Sequence, residues 1–448
     1  MILNALRSHH SPTLRGTVRT PGDKSISHRA LILGALAVGT TTVHGLLEGD
    51  DVLATAAALR QMGAQITSDG NGTWRIDGLG VGGLREPEGV LDLGNSGTGV
   101  RLLMGAVATH PFTSFFTGDA SLRRRPMERV VRPIEAIGAC VRARSVGCLP
   151  LSVEGTSDGV PIEYAPPAAS AQVKSAILLA GLNVPGTTRV IEAKPTRDHT
   201  ERLLRLFGAG VTVEDGGGGR IVSLNGQPEL APQTLAVPGD PSSAAFPAVA
   251  AILSGDSQVT LENVGLNPLR AGLYEVLRQM GADISFANQT ESAGEPVADL
   301  IVRSSSLRGV DVPPERAASM IDEYPILGIA AACASGTTRL RGIAELRVKE
   351  SDRLAAMAHG LAACGVAVRE TADGLEIEGN GRPPQGGAQI AADLDHRIAM
   401  AFLVLGTASA DPVTIDDGRS IATSFPGFAA MMNGLGAQIA PLGASAGQ

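Results

Sequence analysis

The sequence predicts a mixed α/β protein of two related halves, each made of three repeated units with helices inside and sheets outside. Three observations carry this. A phrase consisting of an apolar helical stretch, a glycine, a small residue and a β-branched strand start recurs six times, at Gly63, Gly138, Gly208, Gly281, Gly365 and Gly436. These glycines lie 75, 70, 73, 84 and 71 residues apart, and a recurring period of this kind marks one supersecondary unit used repeatedly. The triplet Pro21-Gly22-Asp23 returns 217 residues later as Pro238-Gly239-Asp240, each ahead of an apolar helix. Finally, the sixth unit stops soon after Ile439, too early for its closing strands. Residues 1–20 precede the first triplet as Leu235-Ala236-Val237 precede the second, so the N-terminal segment is expected to complete the C-terminal half. The expected domains are 21–237, and 1–20 with 238–448, joined by two crossing strands near residues 20 and 237.

Each recurrent glycine stands where a left-handed cap would end one helix before a strand. Each unit opens with an apolar helix, a turn and a short β-rich run, as at 29–43, 174–191 and 320–340. Two helices per unit can bury themselves only against one another and their own sheet, which places the helices in the middle. Length agrees, because 448 residues exceed what one hydrophobic core usually serves.

Composition excludes several functions. With 44% hydrophobic and 18% charged residues the chain can bury sizeable cores. Aromatics are only 3%, leaving little to stack nucleobases, and a formal charge of -8 repels polyanions and anionic membranes. No apolar run approaches the ~18 residues of a membrane span, and the start lacks a signal-peptide pattern, so a cytoplasmic protein is expected. Cys140, Cys148, Cys333 and Cys364 form no CxxC pair and read as buried free thiols. The histidines are scattered without ligand spacing, so no metal is expected.

The chemistry-bearing residues gather at helix starts, where free N–H groups favour anions and extra cations are wrong for helix stability. Lys24, Ser25, Ser27 and Arg29 follow the first Pro-Gly-Asp. Gly94-Asn95-Ser96-Gly97-Thr98-Gly99-Val100-Arg101 enters the next unit's helix with glycines that let backbone approach a ligand. Arg123, Arg124 and Arg125 stand side by side before an expected helix start at Pro126; like charges repel, so at least one should face a counter-anion, unless the loop is merely solvated. Ser170-Ala171-Gln172-Val173-Lys174 and Thr196-Arg197-Asp198-His199 open further helices. Arg197 can grip a phosphate or carboxylate bidentately, or pair with Asp198 or Glu201 on its own helix. In the second half, Asp322 and Glu323 either cap a helix or serve a site. Arg347-Val348-Lys349-Glu350-Ser351-Asp352-Arg353 with Asp395-His396-Arg397 is either a solvated charged face or a constellation that holds anions and moves protons. Ligands commonly bind in a cleft between domains.

In order, the strings PGDKSISHR, GNSGTGVR, GDASLRRRPM, SAQVKSAILLAGL, TRDHTERLL, MIDEYPIL, RVKESDRL and DHRIAM resemble the signatures of the 5-enolpyruvylshikimate-3-phosphate synthase family, class II in the wording of MIDEYP and RVKESDRL. The resemblance implies two inside-out α/β barrel domains, each of three βαβαββ units, with the active site in the interdomain cleft. It implies transfer of the enolpyruvyl group of phosphoenolpyruvate to the 5-hydroxyl of shikimate 3-phosphate by addition and elimination, with no cofactor, in a monomer. Carried over residue by residue, Lys24, Ser25, Arg29, Ser170, Ala171, Gln172, Arg197, Asp322 and Lys349 would bind shikimate 3-phosphate. Lys24, Gly97, Arg125, Gln172, Arg353 and Arg397 would bind phosphoenolpyruvate. Glu350 would protonate the enol carbon, Asp322 would take the hydroxyl proton, and Lys24 would share this work. Two departures stand out: Thr423 occupies a position where some relatives carry Lys, and Gly97 lacks the methyl that in certain class II members excludes glyphosate, which implies glyphosate sensitivity. The related UDP-N-acetylglucosamine enolpyruvyl transferases carry Cys where this chain has Gly118-Asp119-Ala120, and Asn where Ser25 stands. A binding-only relative would have lost Lys24, Asp322 and Glu350.

Overall fold

A computed structural model describes residues 4–216 and 219–442. They form two bodies, one of residues 22–216 and 219–238 with Glu291–Glu295, the other of residues 4–21, 239–290 and 296–442. The short segment Glu291–Glu295 thus groups with the first body, although the chain around it belongs to the second.

In the first body the helices Lys24–Leu36, Gly97–Val107 and Ala171–Gly181 are buried on nearly every side. Such helices have no solvent face to keep polar, which is why their sequences read as almost unbroken apolar runs. The Gly97–Val107 and Ala171–Gly181 helices touch backbone to backbone: a Cβ added at Gly105 would stand 2.3 Å from the Ala176 carbonyl oxygen. The amphipathic helices Asp50–Gln61, Glu128–Ile137 and His199–Leu206 pack beside them.

Three four-stranded sheets surround these helices, all with one order. In the first, Thr234–Ala236 pairs parallel with Val38–His44, which pairs antiparallel with Thr73–Leu79, which pairs antiparallel with Gln65–Ser68. The second runs Leu91–Asp92, Thr113–Thr117, Leu151–Glu154, Cys140–Ala143. The third runs Glu163–Tyr164, Thr187–Glu192, Gly219–Asn225, Val211–Gly216. Their alternating burial leaves one face to solvent, as in Thr113–Thr117, where Ser114 and Phe116 are buried and Phe115 is exposed.

The second body repeats the plan around the buried helices Pro241–Leu253, Tyr324–Cys333 and His396–Ala408. Its first sheet begins with Arg15–Arg19, paired parallel with Gln258–Gly265, the counterpart of Thr234–Ala236 in the first body. Its last sheet has the order Gln389–Ile390, Val413–Ile415, Leu6–His9, Gln438–Pro441. The N-terminal strand therefore fills the third place of the sixth unit, as the early stop after Ile439 requires.

All six recurrent glycines have positive φ, from 85° to 127°. An L side chain is strained there, so the αL cap explains why glycine recurs at this point of every unit. One boundary differs from expectation: the helix expected at Pro126 begins at Glu128, because Leu122–Arg124 forms a 3₁₀ turn and Arg125 is extended, aiming its side chain inward. Among the described residues no helix is long and apolar enough to cross a membrane. The four cysteines are free; burial pushes the Cys333 and Cys364 thiols up to about 12 and about 11, which leaves them un-ionised.

Candidate active site

The first body gathers its polar groups at the N-termini of its three buried helices. Asp23 caps Lys24–Leu36 by accepting from the Ile26 amide at 2.9 Å, Ser96 caps Gly97–Val107 by accepting from Gly99, and Ser170 caps Ala171–Gly181 by accepting from Val173. With the caps satisfied, the first-turn side chains of Lys24, Ser25, Thr98 and Gln172 are placed by the helices themselves.

Lys24 Nζ meets Asp51 Oδ2 at 3.0 Å. Arg29, 3% exposed, donates to Thr200 Oγ1 at 2.6 Å, Ser175 Oγ at 2.7 Å and the Ser25 carbonyl at 2.8 Å. Burial lowers its guanidinium to about 10, Glu201 and Asp23 opposing and nearby Arg197 adding to the fall, so it stays charged at neutral pH. Buried His28 is held well below the ordinary imidazole value by burial, with Lys24 and Arg29 contributing, so it is neutral and adds no cation.

Gln172 bridges two helices, accepting from Arg101 Nη1 at 2.8 Å and donating to Thr98 Oγ1 at 3.0 Å. Of the three adjacent arginines, Arg123 and Arg124 are exposed while Arg125 is buried. Arg125 donates to the Asn95 side chain at 2.5 Å and to Ser121 at 3.1 Å. A Cβ on Gly97 would lie 2.9 Å from Arg125 Nη1 and 3.1 Å from Arg101 Nη1, so Gly97 is where the backbone lets two guanidinium groups close in. Of the helix partners foreseen for Arg197, Asp198 also pairs with Arg202 at 3.0 Å and Glu201 with Lys174 at 2.6 Å. Lys174 also binds Glu192 at 2.9 Å and the Thr196 carbonyl at 3.4 Å, fixing the approach to Arg197. Burial raises the Glu201 carboxyl against the pull of Lys174.

In the second body Arg353 is the centre. Its side chain is 1% exposed and is gripped by Asp395 at 2.8 and 3.2 Å, by Glu350 at 2.5 Å and by Asp322 at 3.5 Å. Burial alone would lower its affinity for a proton, but these carboxylates outweigh that and hold it firmly charged. Lys349 Nζ stands 3.9 Å from Asp322 Oδ1; burial lowers its ammonium below the ordinary lysine value, with Asp322 opposing. Arg397 donates to the Asp322 carbonyl at 3.0 Å. Asp395 caps His396–Ala408, accepting from the Arg397 amide at 2.9 Å while also accepting from Ser351 and Arg353.

The run 347–353 is thus divided: Arg347 pairs with Asp352 at 3.0 Å and Glu370 at 2.7 Å on the surface, while Glu350 and Arg353 turn inward. Glu323, at the N-cap position of Tyr324–Cys333, makes no side-chain capping bond; its carboxylate pairs with Arg270, and that of Asp322 with Arg353. Thr423 Oγ1 donates to the Ser420 carbonyl at 2.7 Å, a neutral contact where some relatives carry a cation. Sequence reasoning missed Asp51 and Arg270 as partners of site residues. Asp51 had no distinguishing signal, since an acid in a helix's first turn is ordinary. Among the described residues no group of three or more His, Cys, Asp and Glu could hold a metal ion.

Known proteins resemble the chain over nearly its whole length. The family described as EPSP synthase (3-phosphoshikimate 1-carboxyvinyltransferase) matches residues 9–432. A 3-phosphoshikimate 1-carboxyvinyltransferase of Paramagnetospirillum magneticum is 63% identical over 97% of this chain and 98% of its own. One from Rhodospirillum rubrum is 61% identical over 97% of each. The EPSP synthase of Acinetobacter baumannii superposes with a TM-score of 0.86 at 45% identity, covering 98% of this chain and 100% of its own. An enolpyruvyl transferase from Streptomyces tendae, 19% identical with a TM-score of 0.76, shares the fold. With family signatures, near-complete coverage and the two-body α/β architecture in agreement, the chain belongs to the EPSP synthase family of carboxyvinyl transferases.

Proposed function

We infer that the chain transfers the carboxyvinyl group of phosphoenolpyruvate to the 5-hydroxyl of shikimate 3-phosphate, releasing phosphate, as a step of the shikimate pathway. The observation that carries the residue assignment is the Arg353 cluster, which joins a permanently charged anion-binding group to the two carboxylates that addition and elimination require. Lys24, Ser25, Arg29, Ser170, Ala171, Gln172, Arg197, Asp322 and Lys349 bind shikimate 3-phosphate. Lys24, Gly97, Arg125, Gln172, Arg353 and Arg397 bind phosphoenolpyruvate, the arginines meeting its carboxylate and phosphate in bidentate fashion. Both residue sets serve one reaction, in a cytoplasmic monomer.

Asp322 takes the proton of the attacking hydroxyl and Lys349 orients that oxygen. Glu350 gives a proton to the methylene carbon, the oxygen bonds to the adjacent carbon, and the tetrahedral adduct then expels phosphate as the proton is withdrawn from the methyl group. Glu350 serves as acid only when neutral. The Arg353 contact favours its charged form, and an arriving phosphoenolpyruvate that draws on Arg353 relaxes that hold. Lys24 shares the proton transfers.

Phosphate release from purified protein with phosphoenolpyruvate, supplied with either shikimate 3-phosphate or UDP-N-acetylglucosamine, tests the assignment. Release only with shikimate 3-phosphate is expected; release only with the nucleotide sugar would overturn it. Glyphosate at low phosphoenolpyruvate should inhibit, because Gly97 carries no methyl. Gly97→Ala should raise the inhibitory concentration by about tenfold or more, as one methyl group in a fitted pocket commonly does. Equal inhibition of both proteins would show that the space above Gly97 is not used.

A further inference from the structure

Glu323 follows directly after Asp322 and is 2% exposed, a costly place for a carboxylate unless cations hold it. Its Oε1 accepts from Arg270 Nη1 at 2.7 Å and from Ser242 Oγ, and lies 3.6 Å from Arg397 Nη1. Arg270, 3% exposed, is itself anchored to Asp240 Oδ1 at 3.4 Å and to Ser242 Oγ. Asp240 is the cap of Pro241–Leu253 and the counterpart of Asp23 in the repeated Pro-Gly-Asp, so this network is tied to the start of a buried helix. Arg397 has a second hold on the same short segment, through the Asp322 carbonyl at 3.0 Å. Residues 322 and 323 therefore fix Arg397 twice, while the Asp322 side chain contacts Arg353 and Lys349.

We propose that Glu323 is a positioning residue for phosphoenolpyruvate: with Arg270 and Ser242 behind it, it sets the rotamer of Arg397 so that the guanidinium meets the ligand already aligned. This rests on the assignment of Arg397 to phosphoenolpyruvate made above. Arg397 and Arg270 share one carboxylate oxygen. Without that charge the two guanidinium groups repel, and among the described residues the Asp322 carbonyl is left to orient Arg397. The consequence falls first on phosphoenolpyruvate, because Glu323 Oε1 faces Arg397 directly, whereas Asp322, its chain neighbour, turns its side chain to Arg353 and Lys349.

The test is steady-state phosphate release by Glu323→Ala and Glu323→Gln, varying each substrate at saturation of the other, with thermal unfolding to establish that the variants fold. Glu323→Ala should raise KM for phosphoenolpyruvate by about tenfold or more while KM for shikimate 3-phosphate stays within about twofold. Glu323→Gln retains an acceptor for Arg270 and Ser242 without the charge, and should fall between wild type and Ala. It also decides the matter if the Ala variant does not fold. Unchanged KM for phosphoenolpyruvate, or equal increases for both substrates, would overturn the proposal. Should wild type release no phosphate with shikimate 3-phosphate, the reaction assignment fails instead. Calorimetric binding of phosphoenolpyruvate to wild type and Glu323→Gln then tests the positioning separately: weaker binding by the variant supports it and equal binding refutes it.

Discussion

Glu350→Gln is expected to lower the rate of phosphate release by about 10²- to 10⁴-fold at saturating substrates, the range a positioned general acid contributes. Gln is nearly isosteric and can keep the place of Glu350 beside Arg353, 2.5 Å away, so the site should keep its shape while losing the transferable proton. KM for phosphoenolpyruvate should therefore change little, and the loss should appear in kcat. Single-turnover phosphate release separates this from slowed product departure. A variant within about tenfold of wild type would move the carbon acid elsewhere, with Lys24 the next candidate.

Arg353→Met is expected to cost about 3–5 kcal/mol of stability as well as activity, because deleting one partner of a buried ion pair strands the other. Met preserves bulk but leaves Asp395, fully buried, without its bidentate cation, and removes a guanidinium from Glu350 and Asp322. A shift in the urea unfolding midpoint at constant slope measures the loss. A deficit under about 1 kcal/mol would mean that the three carboxylates relax onto other partners.

Much of the fold is local and could be read directly. The glycine caps recur because one backbone conformation recurs, and positive φ at Gly63, Gly138, Gly208, Gly281, Gly365 and Gly436 is a property of a few consecutive residues. The helix-entry motifs are legible for the same reason: Lys24, Ser25, Gly97, Ser170 and Gln172 are placed by the helix that follows each. Completion of the sixth unit by residues 6–9 was legible as well, because a missing strand at one end and a surplus strand at the other are visible in any repeat.

The pairings that give those residues their character are not local. Asp51 is 27 positions from Lys24, Arg270 is 53 from Glu323, and Asp395 is 42 from Arg353. Nor does a run of three arginines say which one is buried. The 3₁₀ turn Leu122–Arg124 decides that by directing Arg125 inward, where Asn95 and Ser121 accept from it. The sequence by itself determined the class of the protein, its repeat, its halves and its helix entries, because period, capping and turn conformation depend on neighbouring residues. Only the tertiary structure decided which charges face each other and which are buried, because desolvation and Coulomb attraction act through space, between residues that chain order keeps apart.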